Sequence, residues 1–247
     1  MLNKDHVESN RRVQQSIDRE VGVLKFMDHP SIVQLEATME TADHLCIVQE
    51  YVEGCELFEF VQRMHEERKE KQQASVDETM VRQIFIQLLD VVEWMHSHNI
   101  VHRDLKLESK QRMVDILIHV QSDGRPRIKV TDFGLARVFD PQSPLLSTRC
   151  GSEEYAAPEI VQGLGYDGRR TDIWALGIIL YAMLVGGLPF SGGRVSHIFY
   201  KIVSVDYSWP TSVTVSDAAK EVVSRILVRK SEKRITIPDL RTLAWLA

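Results

Sequence analysis

Val101-His102-Arg103-Asp104-Leu105-Lys106-Leu107-Glu108 puts an acid, two cations and a histidine within five positions of one another. It lies between a long amphipathic pattern and a strand-like run. Upstream, Val81, Ile84, Phe85, Leu88, Leu89 and Val92 recur at i, i+3, i+4, i+7, i+8 and i+11, the period of a helix with one apolar face. Ser75-x-x-Glu78 reads as its capping box. Downstream, residues 115–120 and 127–131 read as two short strands around the turn Ser122-Asp123-Gly124. Asp132-Phe133-Gly134 follows, then Ala157-Pro158-Glu159. The segment between them is rich in Ser, Thr, Pro and Gly and has no period, and a loop of that length is uncommon unless functional.

Further from this centre the chain divides in two. A helix is predicted from about residue 14, with Ile17, Val21 and Leu24 on its apolar stripe, and Asp28-His29-Pro30 ends it. Residues 32–36 and 45–51 read as strands joined at Thr41-Ala42-Asp43, and Gly54 breaks the second. The charge run Glu66-Glu67-Arg68-Lys69-Glu70-Lys71 reads as a solvated helix end. Residues 171–185 are apolar on every face, the pattern of a helix buried inside a helical lobe. Ser216-Asp217 opens another amphipathic helix that runs through Leu227. The expected class is α+β, with two lobes: residues 1–52 mix one helix with strands, residues 53–247 are mainly helical, and a hinge falls near residues 50–54.

Composition narrows the function classes. Hydrophobic residues are 44% and charged residues 26%, an ordinary globular balance. A net charge of -5 gives no reason to expect nucleic acid as a partner. Cys46, Cys55 and Cys150 are too few and too scattered for a disulfide framework, so three free thiols are expected. The start is polar, without the apolar core of a secretory signal. Residues 173–185 are too short to span a bilayer, which needs about 20. A cytoplasmic protein is expected, with the nucleus left open.

In this order, the stations His102-Arg103-Asp104-Leu105-Lys106, Asp132-Phe133-Gly134 and Ala157-Pro158-Glu159 resemble the catalytic loop, metal-binding loop and activation-segment end of a eukaryotic protein kinase. The likeness covers nearly the whole chain. It implies ATP and Mg²⁺ as cofactors and protein hydroxyls as substrates. Asp104 would take the substrate hydroxyl's proton, and Lys106 would neutralise the transferring phosphate, as in serine/threonine kinases. Asp132 would bind Mg²⁺, Phe133 would pack inward, and His102 would be structural. Glu20 matches the acid of helix C. Gln49-Glu50-Tyr51-Val52 matches the adenine-binding linker, with Gln49 as gatekeeper and Glu50 and Val52 contributing backbone groups. Glu56 stands where kinases contact ribose or a basic substrate residue, and Ser152 lies in the loop that cups the substrate. Asp172 matches the buried helix that anchors the catalytic loop, and Arg234 matches the structural partner of Glu159. Thr148 would accept an activating phosphate that pairs with Arg103. Glu56 and Glu108 flank the expected substrate groove and favour substrates with upstream arginine or lysine. The pattern is most similar to the calcium/calmodulin-dependent-kinase-like group, with a fungal branch left open.

Two departures stand against the family pattern. No G-x-G-x-x-G loop and no strand lysine precede Glu20; Lys4 is sixteen residues away, with too few residues before it to form the strand. The chain thus reads as N-terminally truncated, and the remaining strands are expected to expose an unpaired edge. Within the catalytic loop, residues 109–114 read as a six-residue insertion. Either Ser109 or Asp115 then takes the asparagine position of the second metal ligand. A late start and a retained short intron in an ordinary kinase gene would produce both departures. The expected function is a serine/threonine protein kinase, impaired in this chain. The alternative is a pseudokinase scaffold that holds protein partners without catalysis.

Overall fold

The computed structural model describes residues 2–3, 11–107 and 115–247; Lys4, Glu108, Ser109 and the rest of the expected insertion lie outside the described residues. The chain opens with β1 (Leu2–Asn3) and helix α1 (Arg11–Leu24). Then come β2 (Leu35–Glu40) and β3 (His44–Gln49), joined by a turn in which the Thr41 N–H donates to His44 O at 2.8 Å. These strands form one antiparallel sheet in the order β1-β3-β2. The expected bare edge is thus partly covered, because Leu2 and Asn3 pair with Leu45 and His44.

The predicted strand at 32–36 begins later, at Leu35. Ile32 and Val33 are buried instead, and Val33 N–H donates 3.0 Å to Val130 O while Val130 N–H donates 2.8 Å to Ser31 O. The extended backbone after Pro30 is therefore spent on joining the two parts of the chain.

A short strand, β4 (Cys55–Glu56), leads into α2 (Leu57–Glu70). The charge run on this helix is exposed except at Arg68, which is buried and donates to Gln73 O and Ser212 O at 3.0 and 3.1 Å. Next is α3 (Glu78–Ser97), whose predicted apolar face, from Val81 to Val92, is at most 1% exposed. Its predicted capping box is absent. Asp77 is the N-cap and accepts from Thr79 N–H and Met80 N–H at 2.9 and 3.1 Å. The Glu78 carboxylate turns away and receives Ser216 N–H, Ser216 Oγ and Trp245 Nε1 at 2.7, 2.6 and 3.0 Å. An aspartate one residue before the helix outcompetes a serine two further back, and Glu78 gains partners from the far end of the chain.

After β5 (Ile100–Val101) come β6 (Ile116–Val120) and β7 (Pro126–Val130), which extend β4 into a second antiparallel sheet. The segment expected as loop carries short pieces: β8 (Arg137–Val138) pairs with β5, β9 (Leu145–Leu146) precedes α4 (Pro158–Val161), and β10 (Tyr166–Asp167) pairs with β9. Helix α5 (Gly168–Val185) follows, buried almost throughout. Then come α6 (Val195–Ser204), α7 (Asp217–Ile226), capped by Ser216 Oγ, and α8 (Ile237–Leu240). Helix α5 packs so closely on α7 that a Cβ at Gly177 would meet Ile226 Cγ2 at 2.5 Å. Each fully buried aliphatic side chain in this core contributes about 1.5–3 kcal/mol relative to exposure.

Candidate active site

One buried carboxylate holds the catalytic loop. Asp172, on α5 and 1% exposed, accepts His102 N–H at 3.0 Å on Oδ2 and Arg103 N–H at 2.8 Å on Oδ1. Arg103 sits at φ +70, a left-handed conformation that is uncommon outside glycine. The loop is thus clamped in a costly geometry. The His102 ring lies 5.1 Å from that of the fully buried Phe133, tilted by 57°.

Asp104 is the centre of the site. Its Oδ2 accepts from Lys106 Nζ at 2.6 Å, and its Oδ1 accepts from Ser152 N–H and Oγ at 2.8 and 3.0 Å. The approach of Ser152 depends on Gly151, where φ is +94 and a Cβ would lie 2.7 Å from Arg103 O. Tyr155 Oη accepts Leu107 N–H at 3.2 Å and fixes the next turn of the loop.

Two further acids face this centre. Asp115 is 2% exposed, and neither carboxylate oxygen has a hydrogen-bond partner among the described residues. Lys106 Nζ is 3.4 Å from its Oδ2, within ion-pair reach but poorly aligned for a hydrogen bond. Burial pushes the Asp115 carboxyl up to about 8; Lys106 opposes the rise, and Asp104 and Asp132 add to it. Burial would lower the Lys106 ammonium, but Asp104 and Asp115 together hold it above the usual lysine value. Asp132, at φ +52, accepts Gly134 N–H at 3.2 Å on Oδ1.

A buried acid with orphaned oxygens beside two other carboxylates fits a hard divalent cation, which would return it to the ionised form. Of the two expected candidates, Asp115 lies close enough to Asp104 and Asp132 for their charges to raise its carboxyl, and Ser109 lies outside the described residues. No three His, Cys, Asp or Glu side chains among the described residues are grouped closely enough to cage an ion.

On the nucleotide side, Glu20 projects from α1, and its carboxyl is raised to about 7, first by burial and then by Asp132. No cation among the described residues is paired with it. Gln49 ends β3. The Glu50 N–H donates to Gln34 O at 2.9 Å, and its carboxylate pairs with Lys129 and accepts Gln34 N–H, so this side chain braces the linker. No hydrogen bond among the described residues uses the Val52 N–H, and Tyr51 is 90% exposed. Glu56 caps α2 by its backbone alone, leaving its half-buried carboxylate outside the cap.

The activation segment leans on the same loop. Thr148 is exposed, and its carbonyl accepts Tyr166 Oη at 2.8 Å. Arg103 reaches this corner. Its Nε donates to Leu135 O at 2.8 Å, while Nη1 is buried with no hydrogen-bond partner among the described residues. Burial is the first cause of a raised Tyr166 hydroxyl, with Cys150 adding to it and Arg103 opposing. Farther on, Glu159 pairs with Arg234 through two bonds of 2.9 and 3.0 Å, both side chains being buried.

A family model described as "Protein kinase domain" matches residues 1–246. The chain belongs to the protein kinase family. CBL-interacting serine/threonine-protein kinase 16 of Arabidopsis thaliana is 35% identical over 99% of this chain and 50% of its own length. CBL-interacting serine/threonine-protein kinase 5 of the same plant is 34% identical over all of this chain and 51% of its own. Serine/threonine-protein kinase SIK1 of Rattus norvegicus is 36% identical over 94% of this chain and 27% of its own. The kinase domain thus spans about half the length of the plant relatives and about a quarter of the rat one.

Several residues of this kinase domain escaped the reading of the sequence. Lys129 gave no signal beyond a cation on a strand, yet it locks Glu50. Arg19 Nη1 donates to Gly134 O at 3.0 Å and ties α1 to the Asp132-Phe133-Gly134 loop. His96 looked like an ordinary residue in a helix's last turn; its Nε2 lies 2.9 Å from Asp172 Oδ2. Glu108, expected at the substrate groove, lies outside the described residues.

Proposed function

We propose that the chain is the catalytic domain of an ATP- and Mg²⁺-dependent kinase that phosphorylates serine or threonine hydroxyls of protein substrates. The observation that carries this reading is the setting of Asp104. One carboxylate oxygen is held by Lys106 at 2.6 Å and the other by Ser152 at 2.8 and 3.0 Å, beside Asp115 and Asp132. An incoming hydroxyl that displaces Ser152 Oγ would meet a charged acceptor already oriented to take its proton. Lys106 would stay within reach of the moving phosphoryl oxygens. Asp132 and Asp115 would hold Mg²⁺, which supplies charge neutralisation between the phosphates when bound. The Val52 N–H, unused among the described residues, would be open to adenine.

The serine/threonine assignment is supported by Lys106 and by the names of the relatives. A preference for upstream arginine or lysine rests on Glu56 and Glu108, and a peptide array blind to such residues would remove it. Phosphate on Thr148 would find the buried Nη1 of Arg103, unpartnered among the described residues, and Thr148→Ala with undiminished activity in a full-length protein would remove that switch. The nucleotide reading is tested by thermal denaturation with ATP. A rise in melting temperature that needs Mg²⁺ and disappears in Asp132→Asn is expected; no rise under any condition refutes it.

One observation favours the second reading, a scaffold without catalysis. Glu20 faces Asp132 with its carboxyl raised to about 7 and no cation from the described residues beside it. A chain that gives no ATP-dependent shift yet retains a bound protein partner would establish that role.

A further inference from the structure

A cavity of about 640 Å³ opens between α2, the start of α3 and the β4-β6 pair. Its walls follow from the helix and strand periods. Phe60, Arg63, Met64 and Glu67 recur at i, i+3, i+4 and i+7 on one face of α2, and Ile118 and Val120 share one face of β6. Met80 of α3 adds to the lining, and the pairing of Cys55 with Ile118 sets the thiol into the same wall. Asp104, Asp115, Asp132 and the linker residues Gln49, Glu50 and Val52 do not border it, so it is separate from the candidate active site.

Two observations point to what it takes. The first is the apolar lining. Val120 is 39% exposed, and Phe60, Met64 and Met80 are half-buried. Uncovered apolar surface beside two pliable thioethers accepts a hydrocarbon body. The volume falls in the range of small-molecule sites, about 300–1,000 Å³.

The second is the state of Arg63. Its Nη2 donates to Cys55 Sγ, and it has no ion-pair partner among the described residues. Burial pushes the Cys55 thiol above its ordinary value; Arg63 opposes the rise, and Glu59 and Glu56 add to it. The sulfur is therefore neutral near neutral pH and leaves the guanidinium charge uncompensated. Glu67 and Asp77 also border the cavity, but both are engaged: Glu67 accepts from Lys71 Nζ at 2.8 Å, and Asp77 Oδ1 caps α3. A planar guanidinium with N–H groups to spare matches a carboxylate, which it grips through two parallel bonds.

We propose that this cavity binds a small apolar carboxylate, with its hydrocarbon part against Met64, Met80 and Val120 and its carboxylate on Arg63. The inference stands independently of the kinase reading.

The probe is naphthoate, compared with uncharged naphthamide and cationic naphthylmethylammonium. NMR reads the isotope-labelled methionine methyl groups of the whole chain, with Met64→Leu and Met80→Leu assigning the two signals. Naphthoate should shift both saturably, with a Kd of about 1 mM or below for a ligand of this size. The signal of Met183, fully buried in α5, should stay in place. Arg63→Gln should weaken naphthoate about tenfold and abolish its advantage over naphthamide. Lys69→Gln, which removes an exposed cation from another face of α2, should change the affinity by less than about twofold. At about ten times the Kd, naphthoate should slow alkylation of Cys55 by iodoacetamide about tenfold, with Cys46 and Cys150 unchanged as internal references.

Equal binding of the three probes, tighter binding of the cation, or shifts that survive Arg63→Gln undiminished would overturn the proposal. So would Met64 and Met80 signals that move with protein concentration alone, which would make the groove an interface between copies. Should Arg63→Gln fail to fold, the three probes on the original chain decide alone.

Discussion

Replacing Glu159 by Gln should be among the most damaging single changes of one functional group in the chain. The Arg234 side chain is 0% exposed and that of Glu159 8%. The guanidinium makes two bonds to the carboxylate, one of 2.6 Å to Arg170 O and one of 3.2 Å to Val228 O, and lies 5.0 Å over the Trp174 ring. An amide keeps the shape but removes the charge, and it turns NH₂ donors toward guanidinium donors. Leaving a buried cation without its counter-charge costs about 3–5 kcal/mol. With a urea slope of about 3 kcal/mol per molar, the unfolding midpoint should fall by about 1–1.7 M. A second arm separates pairing from burial. Arg234→Met alone strands the carboxylate, whereas Glu159→Leu with Arg234→Met removes both charges and should cost well under the sum of the singles. That double variant still leaves Arg170 O and Val228 O without their donor, at about 1 kcal/mol each. A midpoint unchanged by Glu159→Gln, or singles that simply add, would refute the reasoning.

Other predictions follow from the same contacts. Gly151→Ala should cut peptide phosphorylation about tenfold or more, because the new methyl displaces Arg103 O beside Asp104. Gly124→Ala, also at positive φ but with nothing within 4 Å, should show only the backbone cost of about 1–2 kcal/mol in urea unfolding. Asp77→Ala should destabilise by about 0.5–2 kcal/mol in urea unfolding, while Ser75→Ala should leave the midpoint in place. Glu78 gives a pH signature. Burial alone would raise its carboxyl, but the bonds from Ser216 and Trp245, with Lys220 nearby, bring it below the usual value. A folded-state value below the unfolded one contributes stability above the unfolded value, near about 4.3, and that stability is lost as pH falls through the folded value. The urea midpoint should therefore drop below about pH 5, and Glu78→Gln should flatten that drop.

What could be read from the sequence depended on whether chemistry or distance decided the contact. Asp104, Lys106 and Asp132 stood out because their types and order match one reaction. The buried helix stood out because its apolar residues face every direction. The pairing of Glu159 with Arg234, 75 residues apart, was reachable only through the family resemblance. Glu78 was misread because an acid after a serine is a good local cap, and nothing nearby announces Ser216 or Trp245. Arg68 was assigned to solvent because its neighbours are charged, although one turn of α2 carries it under Ser212. The strand at Leu35 was placed too early because Ile32 and Val33 are as apolar as strand residues; their hydrogen bonds go to the Val130 backbone, far along the chain. His96 and Lys129 gave no local sign, since each acquires meaning only from a carboxylate on another element.

The central claim is that the Asp104 carboxylate, set between Lys106 and Ser152, orients a protein hydroxyl for phosphoryl transfer. The most direct measurement is the transfer of labelled γ-phosphate from ATP to a serine peptide with upstream arginine, in Mg²⁺, by the original chain and by Asp104→Asn. The account predicts Mg²⁺-dependent incorporation that Asp104→Asn lowers by about 10²-fold or more while the ATP-dependent thermal shift is retained. Equal incorporation by both chains, or none by the original chain while it still binds ATP, would contradict it.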